Sequence, residues 1–235
     1  MEHVPDLPVH SGADARLADA FAGPGCPLCR VRADRERTYM ASILAEFVND
    51  VPFRGQLDRT RGFCEAHVHA LVESDRRGSG GLLGPAILFH AVLRLRLREA
   101  AEAYGTKGRS RSKRVAEART PAQCPICAEI RRADAVTVAG LVQLAGDPAW
   151  AQAAASADVC LDHLLALMSE PPSTAGWAQV EAQQLDRLRQ LSEALESFVQ
   201  RSSHDRRHLI TDEERASLAA AARVLGGDPA RSERT

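Results

Sequence analysis

Eight residues of this chain have types and spacings suited to holding metal ions. Cys26-Pro27-Leu28-Cys29 is followed by Cys64-Glu65-Ala66-His67, and Cys124-Pro125-Ile126-Cys127 is followed by Cys160-Leu161-Asp162-His163. In each set, two close thiols precede by roughly 33 to 35 residues a thiol and an imidazole three positions apart. Three thiolates and one neutral imidazole make a preferred tetrahedral zinc set. The expected cofactor is therefore Zn2+, two ions, with Cys26, Cys29, Cys64, His67, Cys124, Cys127, Cys160 and His163 as ligands. All six cysteines of the chain fall in these motifs. Four protein ligands fill zinc's coordination shell, which points to structural sites and away from hydrolytic zinc chemistry.

Other chemistries use the same residues. An iron-sulfur cluster can take such ligands, although thiolate-only sets are commoner. Cys-Pro-x-Cys at a helix start also resembles glutaredoxin-type redox sites, but those need a strand-helix-strand context, and redox chemistry gives Cys64 and His67 no reason. Two groupings of the ligands are open. Each ion is held within one half, the simpler arrangement because the spacing recurs in each copy, or the halves exchange pairs, with Cys26 and Cys29 meeting Cys160 and His163.

The elements that must position these ligands read as helices. Asp14 to Phe21 is a short helix with Asp14 as its cap. Pro27 stands where a helix can begin, and apolar residues from Leu28 to Phe47 carry it to about Val48. A short piece around Phe53 to Arg59 leads to Gly62-Phe63-Cys64 and a helix bearing Cys-x-x-His. A long helix from about Leu82 to Tyr104 has Leu83, Ile87, His90, Leu93 and Leu97 on one stripe, where His90 reads as a hydrogen-bonded core residue. The order then recurs, ending in a long helix from about Thr174 to Val199 with a seam of Leu188, Leu191, Leu195 and Phe198. A last helix starts at the capping box Thr211-Asp212-Glu213-Glu214 and closes at Gly226-Gly227.

The fold class expected is all-α: duplicated zinc-knuckle helical halves packed with pseudo-twofold symmetry. The divisions are a lead-in with a short helix (1–22), a first repeat (23–104), a flexible basic linker (105–120), a second repeat (121–203) and a C-terminal helix and tail (204–235). The linker reading rests on Lys107, Arg109, Arg111, Lys113, Arg114 and Arg119 facing only Glu117.

Composition narrows the function classes. With 235 residues, 45% hydrophobic and 26% charged, the chain can bury a sizeable core. A formal charge of -1 gives no overall basic field, so a nucleic-acid partner is not expected. No basic start followed by an apolar block stands at the N-terminus, and no apolar run is long enough to cross a bilayer, so the expected location is cytoplasmic. His204-Asp205-Arg206-Arg207-His208 reads as a solvated helix end. The alternative is an enzyme, with the Asp205 to His208 segment and His90, Arg94 and Arg98 lining a groove between halves that takes an anionic small molecule. A third reading is a thiol redox or zinc-release switch.

Gly62-Phe63-Cys64-x-x-His67 after Cys26-Pro27-x-Cys29, its echo from Cys124 to His163, and His204-Asp205-Arg206-Arg207 before a final helix together resemble a bacterial family of unknown function. The resemblance spans roughly residues 20 to 227. Where that family's final segment carries a Tyr between Asp and Arg, Arg206 stands here. The resemblance implies the duplicated metal-binding architecture and brings no activity or substrate. The first reading is accordingly a scaffold whose zinc sites hold helices in place for a partner protein or ligand, of unknown biological role.

Overall fold

The computed structural model describes residues 7–78, 80–171, 175–202 and 207–227. Among these there are eleven α-helices and no β-strand. They are α1 (Gly12–Phe21), α2 (Pro27–Ser42, continued by a π-helical turn at Ile43–Phe47), α3 (Val51–Thr60), α4 (Glu65–Arg77), α5 (Leu83–Gly105) and α6 (Gly108–Ala118). After them come α7 (Pro125–Leu144), α8 (Pro148–Ser156), α9 (Leu161–Met168), α10 (Ala175–Arg201), a 3-10 turn at Arg207–Leu209 and α11 (Asp212–Gly226). No described helix is long and apolar enough to cross a membrane.

Two compact units are present: Met1–Ala33 with Ala133–Thr235, and Asp34–Arg132. Neither coincides with a sequence repeat, because α2 and α7 each contribute their first residues to one unit and later residues to the other. The repeats 23–104 and 121–203 describe likeness along the chain, not these units.

In the unit formed by the two chain ends, Trp150 and Trp177 are fully buried among Leu28, Leu141, Leu164 and Leu167. Asp147 caps α8 by accepting from the backbone N–H groups of Ala149 and Trp150. On α10 the buried face is Trp177, Val180 and Gln184, with Leu188 packed half-buried against the same core. Gln184 is polar yet satisfied: its amide donates to the carbonyls of Ala154, Ala155 and Ala157, the last turn of α8 and the residue after it.

In the unit 34–132, Met40, Ile43, Phe53, Leu57, Phe63, Leu71, Leu88, Ile126 and Ile130 make the core. Gly62 connects this core to the Cys-x-x-His helix. Its φ is 94°, and a Cβ there would lie 2.6 Å from Cγ1 of Val92 on α5. Only glycine fits such a turn at such a separation.

Local signals in the sequence held well. Pro27 and Pro125 are the first residues of α2 and α7. Thr211 and Glu214 form the complete capping box of α11, which runs to Gly226. For α1 the cap is Ser11 and not Asp14: the Ser11 side chain accepts from Asp14 N–H, while Asp14 accepts from the N–H of His10.

Two expectations are corrected. The stripe read on α5 is split: Ile87 packs half-buried against the core, whereas Leu83, Leu93 and Leu97 are 68%, 57% and 59% exposed and His90 is exposed beside them. Pro85 and Leu88 are buried instead. The basic stretch read as flexible linker forms α6, packed on α5. Its C-terminal carbonyls are held by arginines: Arg61 donates to Glu117 O and Ala118 O, and Arg96 to Ala118 O at 2.6 Å. Cations at a helix C-terminus complete orphan carbonyls and oppose the macrodipole. Glu99 holds both guanidinium groups, each at 2.7 Å.

Candidate metal centres

The eight predicted ligands gather into two quartets, and the pairs are exchanged between halves. Cys26 and Cys29 meet Cys160 and His163, and Cys64 and His67 meet Cys124 and Cys127. Within-half grouping, the simpler expectation, does not occur. The reason is sequential placement: each unit takes one knuckle from one repeat and one Cys-x-x-His from the other.

Each thiol pair sits where a chain enters a helix. Cys26 and Cys124 immediately precede α2 and α7, which places Cys29 and Cys127 one turn later on the same side. Cys64 and Cys160 are the N-cap residues of α4 and α9, so their histidines at the third helical position turn back toward the same point. Two helix N-termini therefore face each quartet, a favourable setting for the negative charge of thiolates.

The donor separations are those of a small tetrahedron. From His163 Nδ1 the sulfurs of Cys160, Cys29 and Cys26 are 3.1, 3.3 and 3.5 Å away, and Cys29 Sγ is 3.6 Å from Cys160 Sγ. From His67 Nδ1 the sulfurs of Cys64, Cys127 and Cys124 are 3.1, 3.3 and 3.5 Å away, and Cys64 Sγ is 3.7 Å from Cys127 Sγ. Zinc bonds of about 2.3 Å to sulfur and about 2.0 Å to nitrogen give tetrahedral edges of about 3.8 Å and about 3.5 Å. All six cysteines are free, and the sulfur separations exceed a disulfide bond by far. Donors within 4.8 Å of one another leave room for one ion and not for a multi-iron cluster.

Behind each ligand imidazole stands a carboxylate. His163 Nε2 lies 3.1 Å from Asp134 Oδ1, and His67 Nε2 lies 3.2 Å from Glu36 Oε1. With Nδ1 turned to the sulfurs, Nε2 carries the proton and donates it to the carboxylate, which fixes tautomer and ring orientation. Arg32 adds a cation beside the first quartet, 3.7 Å from Asp134 and 3.8 Å from Asp162. These outer residues were not read from the sequence, yet a signal existed: Glu36 and Asp134 each stand ten positions after the first knuckle cysteine (26 to 36, 124 to 134).

Electrostatics inside the quartets pairs thiolate with imidazolium whenever no cation is bound. Burial opposes charging His67, but the Cys124 sulfur and the Glu36 carboxylate outweigh it and push the ring up to about 11. Burial likewise opposes ionising Cys124, yet the bond to His67 and the backbone N–H groups of Cys127 and Cys64 bring it down to about 6. Cys127 is pushed up to about 11 by burial and by the nearby Cys124 charge. In the other quartet, hydrogen bonds from Cys26 and Cys29 hold Cys160 below the ordinary thiol range, while the hydrogen bonds to Cys160 and Cys29, with burial, raise Cys26 above it. For His163, Asp134 and Cys160 overcome the burial penalty and raise the ring to about 11.

The sequence named other candidates as well. His90, Arg94 and Arg98 lie exposed on α5. His204, Asp205 and Arg206 lie outside the described residues, as does the side chain of Arg207, and His208 is exposed. Of the arginines close in sequence to the cysteines, Arg61 donates to the end of α6 and Arg30 to Pro24 O.

The fold and its two quartets define a class: an all-helical protein with a pair of clusters, each of three cysteines and one histidine, that could hold metal ions. Residues 14–212 match the model of a family described as "Family of unknown function (DUF6062)", and the chain belongs to that family. No curated protein and no solved structure matches.

Proposed function

We propose that this is a zinc-binding scaffold protein of the cytoplasm, in which each quartet holds one structural Zn2+ and the helices so fixed are presented to a partner protein or small ligand. The observation carrying this reading is the agreement between the donor separations in both quartets and the edges of a zinc tetrahedron. Free cysteines in number fit a reducing compartment. The duplicated motifs fit descent of both quartets from one knuckle-and-helix unit.

Bound zinc would supply a charge centre joining two helix N-termini that local propensity alone cannot hold together. The chain's own residues do the rest: Asp134 and Glu36 orient the imidazoles, and the helix N-termini offset the thiolate charge. Elemental analysis of the purified protein, with thiol counting under native conditions, tests the reading. Two zinc equivalents and no rapidly reacting thiol are expected; a folded, metal-free protein would overturn it.

A second reading, a zinc-release switch, is favoured by the half-buried Cys29 and Cys127, each within 3.7 Å of a second sulfur. A hydroperoxide would take two electrons from the thiolates of Cys29 and Cys160; the sulfurs join, and the O–O bond breaks to water and an alcohol with two protons drawn from solvent. Zinc release in step with peroxide consumed, reversed by a dithiol, would favour this reading over a purely structural one.

A further inference from the structure

The unit 34–132 contains a cavity of about 600 Å³ that the metal chemistry does not use. That size is in the range of small-molecule sites. Its walls come from α2, the π-helical turn, α3 and the start of α7. The π-helical turn stands at the C-terminal end of α2, where the chain leaves that helix for the cap of α3 at Asp50. Here the turn ends at Phe47, whose ring lies 5.8 Å from that of Phe53 at a tilt of 36°. These two rings and Pro52 provide the apolar surface, while Tyr39, Ser42 and Gln56 add neutral polar groups.

The charges around the cavity are not balanced in their duties. Both carboxylates already serve the fold: Asp50 caps α3 by accepting from Phe53 N–H at 2.7 Å, and Glu129 accepts from both Arg35 and Arg132. Of the three guanidinium groups, Arg35 uses one nitrogen on Glu129 and Arg132 uses two. Arg59 has no ion-pair partner among the described residues. The excess is therefore in N–H donors of the fork geometry that matches a carboxylate or phosphate.

From this arrangement we infer that the cavity is a binding site for a small aromatic anion, one ring bearing a phosphate or carboxylate. The ring enters against Phe47 and Phe53, and the anionic group meets Arg59 together with the unused donors of Arg35 and Arg132. This site is independent of whether the quartets hold zinc for structure or for redox release.

Fluorine NMR of the full-length protein, titrated with 4-fluorophenyl phosphate, tests the inference, with inorganic phosphate and 4-fluorophenol as competitors. Saturable binding is expected, with each competitor weaker by roughly tenfold or more, because either lacks half of the contacts. Arg59→Gln should weaken binding by roughly tenfold, the worth of one charge-assisted hydrogen bond. Phe47→Leu should weaken 4-fluorophenyl phosphate but leave inorganic phosphate unaffected. The melting temperature of each variant, measured alongside, shows that the fold is kept. Absence of saturable binding at millimolar probe, or binding that Arg59→Gln and Phe47→Leu both leave unchanged, would overturn the site. Phosphate alone binding as tightly as the aryl phosphate would also overturn it, since the rings would then contribute nothing.

Discussion

Asp134 accepts from the same imidazole, His163, whose other nitrogen faces three sulfurs, although Asp134 lies on the helix whose own thiols serve the second quartet. Glu36 stands in the same relation to His67. Outer-shell carboxylates of this kind commonly carry 10–100-fold in metal affinity. Asp134→Ala should therefore weaken zinc at the first quartet by roughly 10–100-fold and leave one zinc equivalent tightly held. Chelator competition reads this directly; two equivalents retained as in the parent protein would contradict it.

Zinc uptake should release protons. At neutral pH the metal-free second quartet keeps a proton on His67 and another on Cys127, both pushed up to about 11. Binding must displace both. Calorimetric titrations in buffers of different ionisation enthalpy should give at least two protons per zinc at that quartet, and a value near zero would refute it.

The same groups set how the metal-free protein responds to pH. A raised His67 stabilises the fold fully below its usual 6.5, and this is lost as pH rises through about 11. A lowered Cys124 stabilises it above its usual 9.0, and this is lost as pH falls through about 6. Urea unfolding of the metal-free protein should show greatest stability between those limits, whereas zinc-loaded protein should lose its metal as acid protonates the thiolates. Metal-free stability that rises steadily toward low pH would contradict the assignment.

The unit Asp34–Arg132 carries one complete quartet and its own apolar core on a continuous segment of chain. The fragment 34–132, purified with zinc, should bind one equivalent and melt cooperatively. The first repeat, 23–104, contains the second quartet's Cys64 and His67 but neither Cys124 nor Cys127, and should not reproduce that behaviour. Equal zinc affinity and equal cooperativity in the two fragments would argue against exchanged pairing.

Gly62→Ala should destabilise the unit 34–132 without touching a ligand. The added methyl meets Val92 at 2.6 Å in a backbone conformation with φ of 94°. Left-handed strain alone costs roughly 1–2 kcal/mol, so the melting temperature should fall by several degrees. Combining it with Val92→Ala should recover the steric part only. Unchanged melting in Gly62→Ala would show that the turn is not under this constraint.

What the sequence displayed follows from how far each signal reaches. Ligand identity, the prolines opening α2 and α7, and the Thr211 capping box are local, and each was legible. Partner choice is not local. Loop-closure cost grows only logarithmically, so joining Cys29 to Cys160, 131 positions apart, costs little more than joining His67 to Cys124 across 57. Spacing alone could not choose between groupings. On α5 apolar residues surround the helix, so periodicity did not reveal that Leu83, Leu93 and Leu97 face outward. For α6, composition suggested a solvated linker, whereas Arg61 and Arg96 arrive from distant positions to finish its C-terminus.

Exchange of the pairs nests one quartet inside the other along the chain: Cys64 to Cys127 lies wholly between Cys29 and Cys160. During synthesis the inner set is finished once Cys127 leaves the ribosome, while Cys26 and Cys29 wait for residues made later. A polypeptide halted before Cys160 would thus emerge with the inner set of four donors complete and the outer set still lacking half its members, so the order of synthesis is the order in which the two sets can close.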